Sequence, residues 1–409
     1  MRITEPFKID RFQHNRKIII YGAGTCGEIA LRGLECYGIK PDFFCDRVEK
    51  NRKAFGIAII KPEELPSYKD AIILLASVNY FYEMIDTCNR LNCRNYYDME
   101  EIMNIRIPDE RLSFQAQDIL ANKARYIDVI HHGQEEDRLC IGKLEINVSE
   151  ACTLKCKDCS YLMQYYQHPQ NVNIQYLKNV LDRLLSVVDR VSEFRLLGGE
   201  PFLNQELYKL IDAYYNHAKV GIIDIHTNGT IIPTQRILDS LKHDNVVVHI
   251  SDYDVSKNKT EQLKILFDNN SIRYFVRKYD TWNCYGILQD RGYSEEEAQR
   301  MFTYCSARNC YTIKKDKLYR CPRSAHATEL KMIPDYASDY VDILKDSVSN
   351  EELKIHIKNF LSSDHYLNAC RYCISAGAEV TEVKAAIQVE KSIEYIDFSF
   401  EHIIRNSDE

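Results

Sequence analysis

Three thiols crowd together in the middle of the chain, in Glu150-Ala-Cys152-Thr-Leu-Lys-Cys156-Lys-Asp-Cys159-Ser160. A structural zinc would want four ligands, usually on paired C-x-x-C arms. Three thiolates at C-x₃-C-x₂-C spacing instead suit a [4Fe–4S] cluster in which one iron lacks a protein ligand. An open iron is a place for substrate or cofactor chemistry, whereas an all-cysteine cluster mainly transfers electrons. Further thiols lie toward the C-terminus: Cys284, Cys305, Cys310, Cys321 and the pair Cys370-Arg-Tyr-Cys373. Residues 310–321 read as a hairpin turning at Lys315-Asp316-Lys317. A hairpin base and a distant C-x-x-C could close four thiolates around one centre. On spacing, Cys305, Cys321, Cys370 and Cys373 are the best four. Cys310 could replace Cys305 or remain a free thiol, and spacing leaves zinc and iron–sulfur both open.

These thiols belong to a chain of 409 residues with 15 cysteines, 45% hydrophobic residues and a formal net charge of −7. The length implies two or three domains, and the apolar fraction excludes wholesale disorder. No apolar run approaches the roughly 20 residues of a membrane-spanning helix. The N-terminus lacks the apolar stretch of a signal peptide, so a cytoplasmic protein is expected and a disulfide framework is not. The mild acidity argues against a chain-wide nucleic-acid surface. Cys26, Cys36, Cys45, Cys88, Cys93 and Cys140 lack ligand spacing and read as small core residues.

The elements that must position this chemistry fall into a repeating strand–helix pattern. Lys17–Tyr21 is a buried strand passing into Gly22-Ala-Gly24-Thr-Cys-Gly27 and an amphipathic helix. A second strand ends on Asp46, where a Rossmann unit places its ribose-binding acid. This is a phosphate cradle with nucleotide-binding potential, or a glycine turn kept for tight strand–helix packing. Around the thiol triplet, Lys143–Ser149 alternates as a strand. Later strands run into Gly198-Gly199-Glu200-Pro201, His226-Thr227-Asn228-Gly229 and Ser251-Asp252, and Arg273–Arg277 is a further strand. Helices are expected at 174–188, 206–217, 235–242 and 261–267. In the first, Ile174, Leu177, Leu181, Leu184, Leu185 and Val188 form one apolar stripe. Such parallel βα repeats describe a barrel whose chemistry sits at the C-terminal ends of the strands, and every polar motif above occupies such an end.

Taken with these positions, the triplet followed by GGEP resembles the radical S-adenosylmethionine (SAM) enzymes. The resemblance implies that Cys152, Cys156 and Cys159 hold the SAM-binding [4Fe–4S] cluster. It also implies that Gly198, Gly199, Glu200 and Pro201 engage the amino group of SAM, with Asn228, Ser251 and Asp252 adding contacts. One departure stands out: the residue before the third cysteine is usually aromatic, and here it is Asp158. Tyr161 is the nearest candidate to replace it. The C-terminal thiols resemble the twitch form of the SPASM extension, which carries one auxiliary [4Fe–4S] cluster. Asp316 stands where that pattern usually has glycine. The N-terminal segment, from YGAG to Gly56–Leu65, resembles small Rossmann-like domains of sugar-modifying and sugar-nucleotide proteins.

The expected architecture is therefore α/β. It comprises a Rossmann-like domain at 1–110, a linker at 111–140 and a partial (β/α)6 TIM barrel at 141–300. An auxiliary-cluster domain at 301–385 and a tail at 386–409 complete it. By resemblance, reductive cleavage of SAM gives a 5′-deoxyadenosyl radical that takes hydrogen from a small molecule, such as a sugar or sugar nucleotide. Electron transfer to the second cluster would give oxidation, while hydrogen return from Cys310 or Cys284 would give epimerisation. Expected partners are that substrate and an electron donor such as flavodoxin or ferredoxin, with no membrane and no nucleic acid. A peptide-modifying maturase is the alternative within the family. A nicotinamide-dependent dehydrogenase with zinc sites, or an electron-carrier module, is the alternative outside it.

Overall fold

A computed structural model describes residues 8–9, 16–47, 53–78, 80–132, 138–374 and 381–395. Of the expected tail at 386–409, residues 396–409 lie outside the described residues. The chain divides into two compact units, Met1–Gly142 and Lys143–Glu409.

The first unit contains β1 (Ile18–Tyr21), α1 (Thr25–Glu35), β2 (Phe43–Cys45), β3 (Lys53–Ala54), β4 (Ile57–Ile60), β5 (Ile72–Leu75), α2 (Phe81–Arg90), β6 (Tyr96–Tyr97), α3 (Glu100–Met103), α4 (Phe114–Ala121), α5 (Ala124–His132) and β7 (Cys140–Ile141). Its sheet has the order β3-β4-β2-β1-β5-β6. All neighbours are parallel except the β3–β4 pair. The continuous apolar runs of β1 and β5 are buried along their whole length, as a two-sided parallel sheet requires. Within residues 111–140, expected as a linker, the segments of α4 and α5 are helices of this unit. The reason is a stripe on α5, where Tyr126, Val129 and Ile130 are buried. The Tyr126 hydroxyl also donates to the Leu75 carbonyl at 3.0 Å. Of the six cysteines read as core, Cys26, Cys45 and Cys88 are buried, Cys93 and Cys140 are half-buried, and Cys36 is exposed.

The second unit alternates β8 (Leu144–Ser149), α6 (Ile174–Val187), β9 (Arg190–Gly198), α7 (Leu207–Tyr214), β10 (Val220–Thr227), α8 (Gln235–Ser240), β11 (Val246–Asp252), α9 (Thr260–Asn269) and β12 (Tyr274–Lys278). Then come β13 (Thr281–Asn283), α10 (Glu295–Tyr304), β14 (Tyr311–Lys314), β15 (Lys317–Tyr319), α11 (Pro322–Glu329), β16 (Tyr340–Asp342), α12 (Asn350–Ser362) and β17 (Glu382–Lys384). The main sheet runs β12-β11-β10-β9-β8-β14-β15-β16. Strands β8 to β12 are mutually parallel, the arrangement of a partial βα barrel. The apolar stripe of α6 packs inward, and Asn173 caps the helix by accepting from the Tyr176 amide at 2.9 Å.

The expected hairpin forms with Lys315 at a positive φ of 55°. Its first strand, β14, lies parallel beside β8 and supplies a sixth parallel strand. The hairpin thus continues the barrel sheet across the boundary expected at residue 300. Strand β17 pairs antiparallel with β13 and brings the segment after Cys373 back to the barrel.

Candidate active site

Strand β8 ends at Ser149, and the following loop carries Cys152, Cys156 and Cys159. Leu154, Cys156 and Ala386 are buried together, with Cys152, Cys159, Tyr253, Val255 and Trp282 packed against them. All three thiols line one cavity of about 430 Å³, whose wall also includes Gly198, Gly199, Asn228, Ser251 and Tyr161. Two amides aim donors at the thiol sulfurs. Asn228 Nδ2 lies 3.4 Å from Cys152 Sγ, and Gln388 Nε2 lies 3.2 Å from Cys156 Sγ. The Leu154 backbone N–H also points at Cys152 Sγ, at 3.4 Å. Sulfur is a poor acceptor as a thiol and a better one as a thiolate, so this donor set fits a metal-bound triad. Burial raises the three free thiols, Cys156 to about 12, so binding iron must release their protons.

The glycine pair at the end of β9 is there because the loop is too close for a side chain. A Cβ on Gly199 would lie 2.2 Å from the Ala151 carbonyl oxygen, and Gly198 has φ +143°. Glu200 is fully buried, and its carboxylate is already engaged. Oε1 accepts from the Phe202 amide at 3.1 Å and from Thr227 Oγ1 at 2.8 Å, while Oε2 accepts from the Asn228 amide at 2.8 Å. Burial outweighs these bonds and lifts its pKa to about 7. Glu200 therefore pins the end of β10, and through it Asn228, against the thiol loop. Pro201 begins a short 3-10 turn behind it.

Ser251 lines the cavity, and Asp252, which is not among the lining residues, is engaged locally. Its Oδ1 accepts from the Asp254 amide at 3.1 Å and from Asn258 Nδ2, closing its own loop. Tyr161 faces the barrel interior, donating to Glu145 Oε2 at 2.9 Å. Tyr253 and Trp282, which sequence reasoning did not single out, are the aromatics beside the thiol loop, edge to face at 5.2 Å.

Sequence reasoning also missed a charged network within the barrel sheet. Lys143 pairs with Glu145 at 3.2 Å and Arg195 with Glu193 at 2.6 Å. Asp224, fully buried, meets His249 Nδ1 at 2.6 Å and His226 Nε2 at 3.0 Å. Burial works against its charge, but the two histidines hold Asp224 well below the usual carboxylate range. Arg195 and His226 reach the cavity wall, joined there by Arg277, Thr281, Asn283 and Tyr285. The signal was present as charges at alternate positions in otherwise apolar strands: 143 and 145, 193 and 195, 224 and 226.

Among the C-terminal thiols, Cys321 is pushed well up by burial and then by Cys305, Cys373 and Cys370. Cys370 likewise feels burial first, with Cys305 and Cys373 as neighbours. Cys310 stands apart from that set, accepting from Lys143 Nζ at 3.3 Å. Cys284 accepts from the Gly286 amide at 3.4 Å. Neither is among the residues lining the cavity.

In the first unit, Asp46 Oδ2 accepts from the Ala23 amide at 2.8 Å, which ties it to the glycine loop. A Cβ on Gly22 would lie 2.4 Å from the Ala76 carbonyl oxygen, and one on Gly27 would lie 2.0 Å from the Gly22 oxygen. One on Gly24 would meet nothing within 4 Å. One cavity in this unit is lined by Glu35, Gly38, Ile39, Lys40, Phe55, Gly56 and Ile57, at the other end of α1 from the glycines.

Comparison with known proteins finds similar sequences and structures. A 94-residue stretch is 32% identical to the GTP 3′,8-cyclase of Clostridium acetobutylicum, covering 23% of this chain and 29% of that protein. The match thus spans under a third of that relative. The solved structure "Native anSMEcpe with bound AdoMet" aligns over 65% of this chain and 99% of its own, at 15% identity and TM-score 0.37. "BtrN in complex with AdoMet and 2-DOIA" aligns over 62% and 98%, at 12% identity and TM-score 0.36. No helix among the described residues is long and apolar enough to cross a membrane. Residues 146–264, from β8 into α9, match the family described as the Radical SAM superfamily. The segment from β8 into α9 therefore carries a radical SAM domain, a family whose cofactors are a [4Fe–4S] cluster and SAM.

Proposed function

We propose that this enzyme abstracts a hydrogen atom from a polar small molecule seated in the 430 Å³ cavity and oxidises it. The observation that carries the reading is convergence. Three thiols, the Gly198–Gly199 pair, Asn228 and Ser251 all stand at C-terminal strand ends and all open into that one cavity. When bound, the cluster of Cys152, Cys156 and Cys159 and its SAM supply the 5′-deoxyadenosyl radical that takes the hydrogen. The protein's own residues position and shield. Gly199 lets the end of β9 approach the thiol loop, and Glu200 holds Asn228 beside Cys152. Tyr253 and Trp282 cover the loop from the side.

The substrate end of the cavity is polar, with Arg195, His226, Arg277, Thr281, Asn283 and Tyr285 on its wall. Groups of that kind suit a hydroxyl-bearing molecule such as a sugar or sugar nucleotide. Cys305, Cys321, Cys370 and Cys373 are the proposed ligands of an auxiliary [4Fe–4S] cluster, which would supply an electron acceptor. Among the described residues, the candidate metal ligands gathered within 4.8 Å of one another are Asp224, His226 and His249. Cys310 and Cys284 lie off the cavity wall, which favours oxidation over hydrogen return and epimerisation.

The test offers deuterated sugars, sugar nucleotides and peptides to the reduced, reconstituted enzyme with SAM. The reading expects deuterium in 5′-deoxyadenosine from a sugar-type substrate, and a two-electron-oxidised product. Deuterium from a peptide alone would replace it with the maturase reading.

A further inference from the structure

The segment that returns from β17 lies across the loop bearing the three thiols. The Lys157 amide donates to the Ile387 carbonyl at 2.7 Å, and the Val389 amide donates to the Lys155 carbonyl at 2.8 Å. Between these backbone bonds sits Gln388, and its two amide atoms are used differently. Oε1 accepts from the Lys155 amide at 2.8 Å, while Nε2 lies 3.2 Å from Cys156 Sγ and 2.7 Å from the Ala386 carbonyl. Farther along, the Ile393 amide donates to the Gln164 carbonyl at 2.8 Å, and Ser392 Oγ donates to the Tyr166 carbonyl at 3.0 Å. The strap is thus fastened on both sides of Gln388. Cys156 beneath it is 7% exposed, and Ala386 packs directly on it.

We infer that Gln388 is a positioning residue for the catalytic cluster, donating an N–H···S hydrogen bond to the Cys156 ligand that raises the cluster's reduction potential. This rests on the reading that Cys152, Cys156 and Cys159 hold that cluster. The physical reason is charge. Reduction adds an electron to a cluster whose thiolate sulfurs already carry negative charge. A donor on one of those sulfurs stabilises the reduced form more than the oxidised form. The donor belongs to a segment more than 230 residues away in sequence, so the potential is set partly by the C-terminal strap and not by the thiol loop alone.

Gln388→Glu separates this role from a structural one. It keeps an oxygen to accept from Lys155 and replaces the donor facing Cys156 with a carboxylate. Gln388→Met keeps the length, removes the donor and adds no charge, so it reads the same quantity if the new charge disturbs cluster loading. Reconstituted full-length wild type and both variants are titrated spectroelectrochemically, following the electron paramagnetic resonance signal that changes on adding SAM. The expected result is unchanged iron and sulfide content with a midpoint shifted to more negative potential, further in Gln388→Glu than in Gln388→Met. Midpoints coinciding with wild type would overturn the role of Gln388 while leaving the cluster reading intact. A wild type with iron but no SAM-responsive signal would overturn the cluster reading, and the inference with it.

Discussion

Two glycine-bearing strand ends invite comparison, one in each unit. Gly22-Ala-Gly24-Thr-Cys-Gly27 follows β1, and Gly198-Gly199-Glu200 closes β9. Both follow parallel strands, and both are held by a carboxylate that accepts backbone N–H groups. Asp46 accepts from Ala23, and Glu200 from Phe202 and Asn228. In the first loop, Gly22 and Gly27 are required by carbonyl oxygens of their own fold, and one cavity of that unit opens at the far end of α1. In the second, the glycines border a cavity that also holds three thiols. A glycine turn thus reports close backbone approach; a ligand site needs convergent chemistry beside it.

The comparison is broken most severely by removing the chemistry and keeping the glycines. Replacing Cys152, Cys156 and Cys159 together by alanine should drop 5′-deoxyadenosine formation to background, with about four irons per chain still bound at the C-terminal thiols. Iron and sulfide analysis beside product chromatography checks this. A preparation with no iron would reject the auxiliary cluster.

The next effect concerns the carboxylate of the second loop. Burial raises the Glu200 carboxyl from 4.5 to about 7. The folded state then holds its proton more tightly than the unfolded state, so this group costs stability as pH rises from 4.5 through 7. Below 4.5 the cost vanishes, and above 7 it levels off at about 3 kcal/mol. Glu200→Gln, lacking that proton, should gain on wild type by about this amount between pH 4.5 and 7.5, on top of a fixed loss from its changed hydrogen bonds. Denaturant melts at several pH values read the slope. A difference independent of pH would mean that the carboxyl titrates normally.

Smaller again, Gly22→Ala and Gly199→Ala should each lose about 1–3 kcal/mol, because each new Cβ meets a backbone oxygen. Only Gly199→Ala should also slow SAM cleavage. Equal slowing by both would erase the distinction between the loops. The smallest effect is Asp46→Ala, which should lose about 1 kcal/mol by freeing the Ala23 amide and leave SAM cleavage unchanged.

What could be read in the sequence was local. The β1 and β5 runs, the α6 stripe and the turn at Lys315 all follow from short-range pattern, and the structure has each of them. The thiol triplet and GGEP were legible because each is contiguous and ends a strand. The missed parts depend on distant pairings. Nothing in residues 310–321 says that β14 will join β8, and nothing near Gln388 points to Cys156, 232 positions away. The engagement of Asp252 was not legible either, because its side chain closes a turn with Asp254 and Asn258, a local bond that competes with any ligand. In the segment expected as a linker, α4 is weakly amphipathic and gives little local signal, whereas the α5 stripe of Tyr126, Val129 and Ile130 is itself a local pattern.

The central claim is that the loop of Cys152, Cys156 and Cys159 holds a SAM-cleaving iron–sulfur cluster. The direct measurement is anaerobic reconstitution, metal and sulfide analysis, then incubation with SAM and dithionite. The account predicts iron and sulfide in the protein, with 5′-deoxyadenosine and methionine released by wild type and not by the triple cysteine variant. Zinc without sulfide, or intact SAM over a fully reduced cluster, would contradict it.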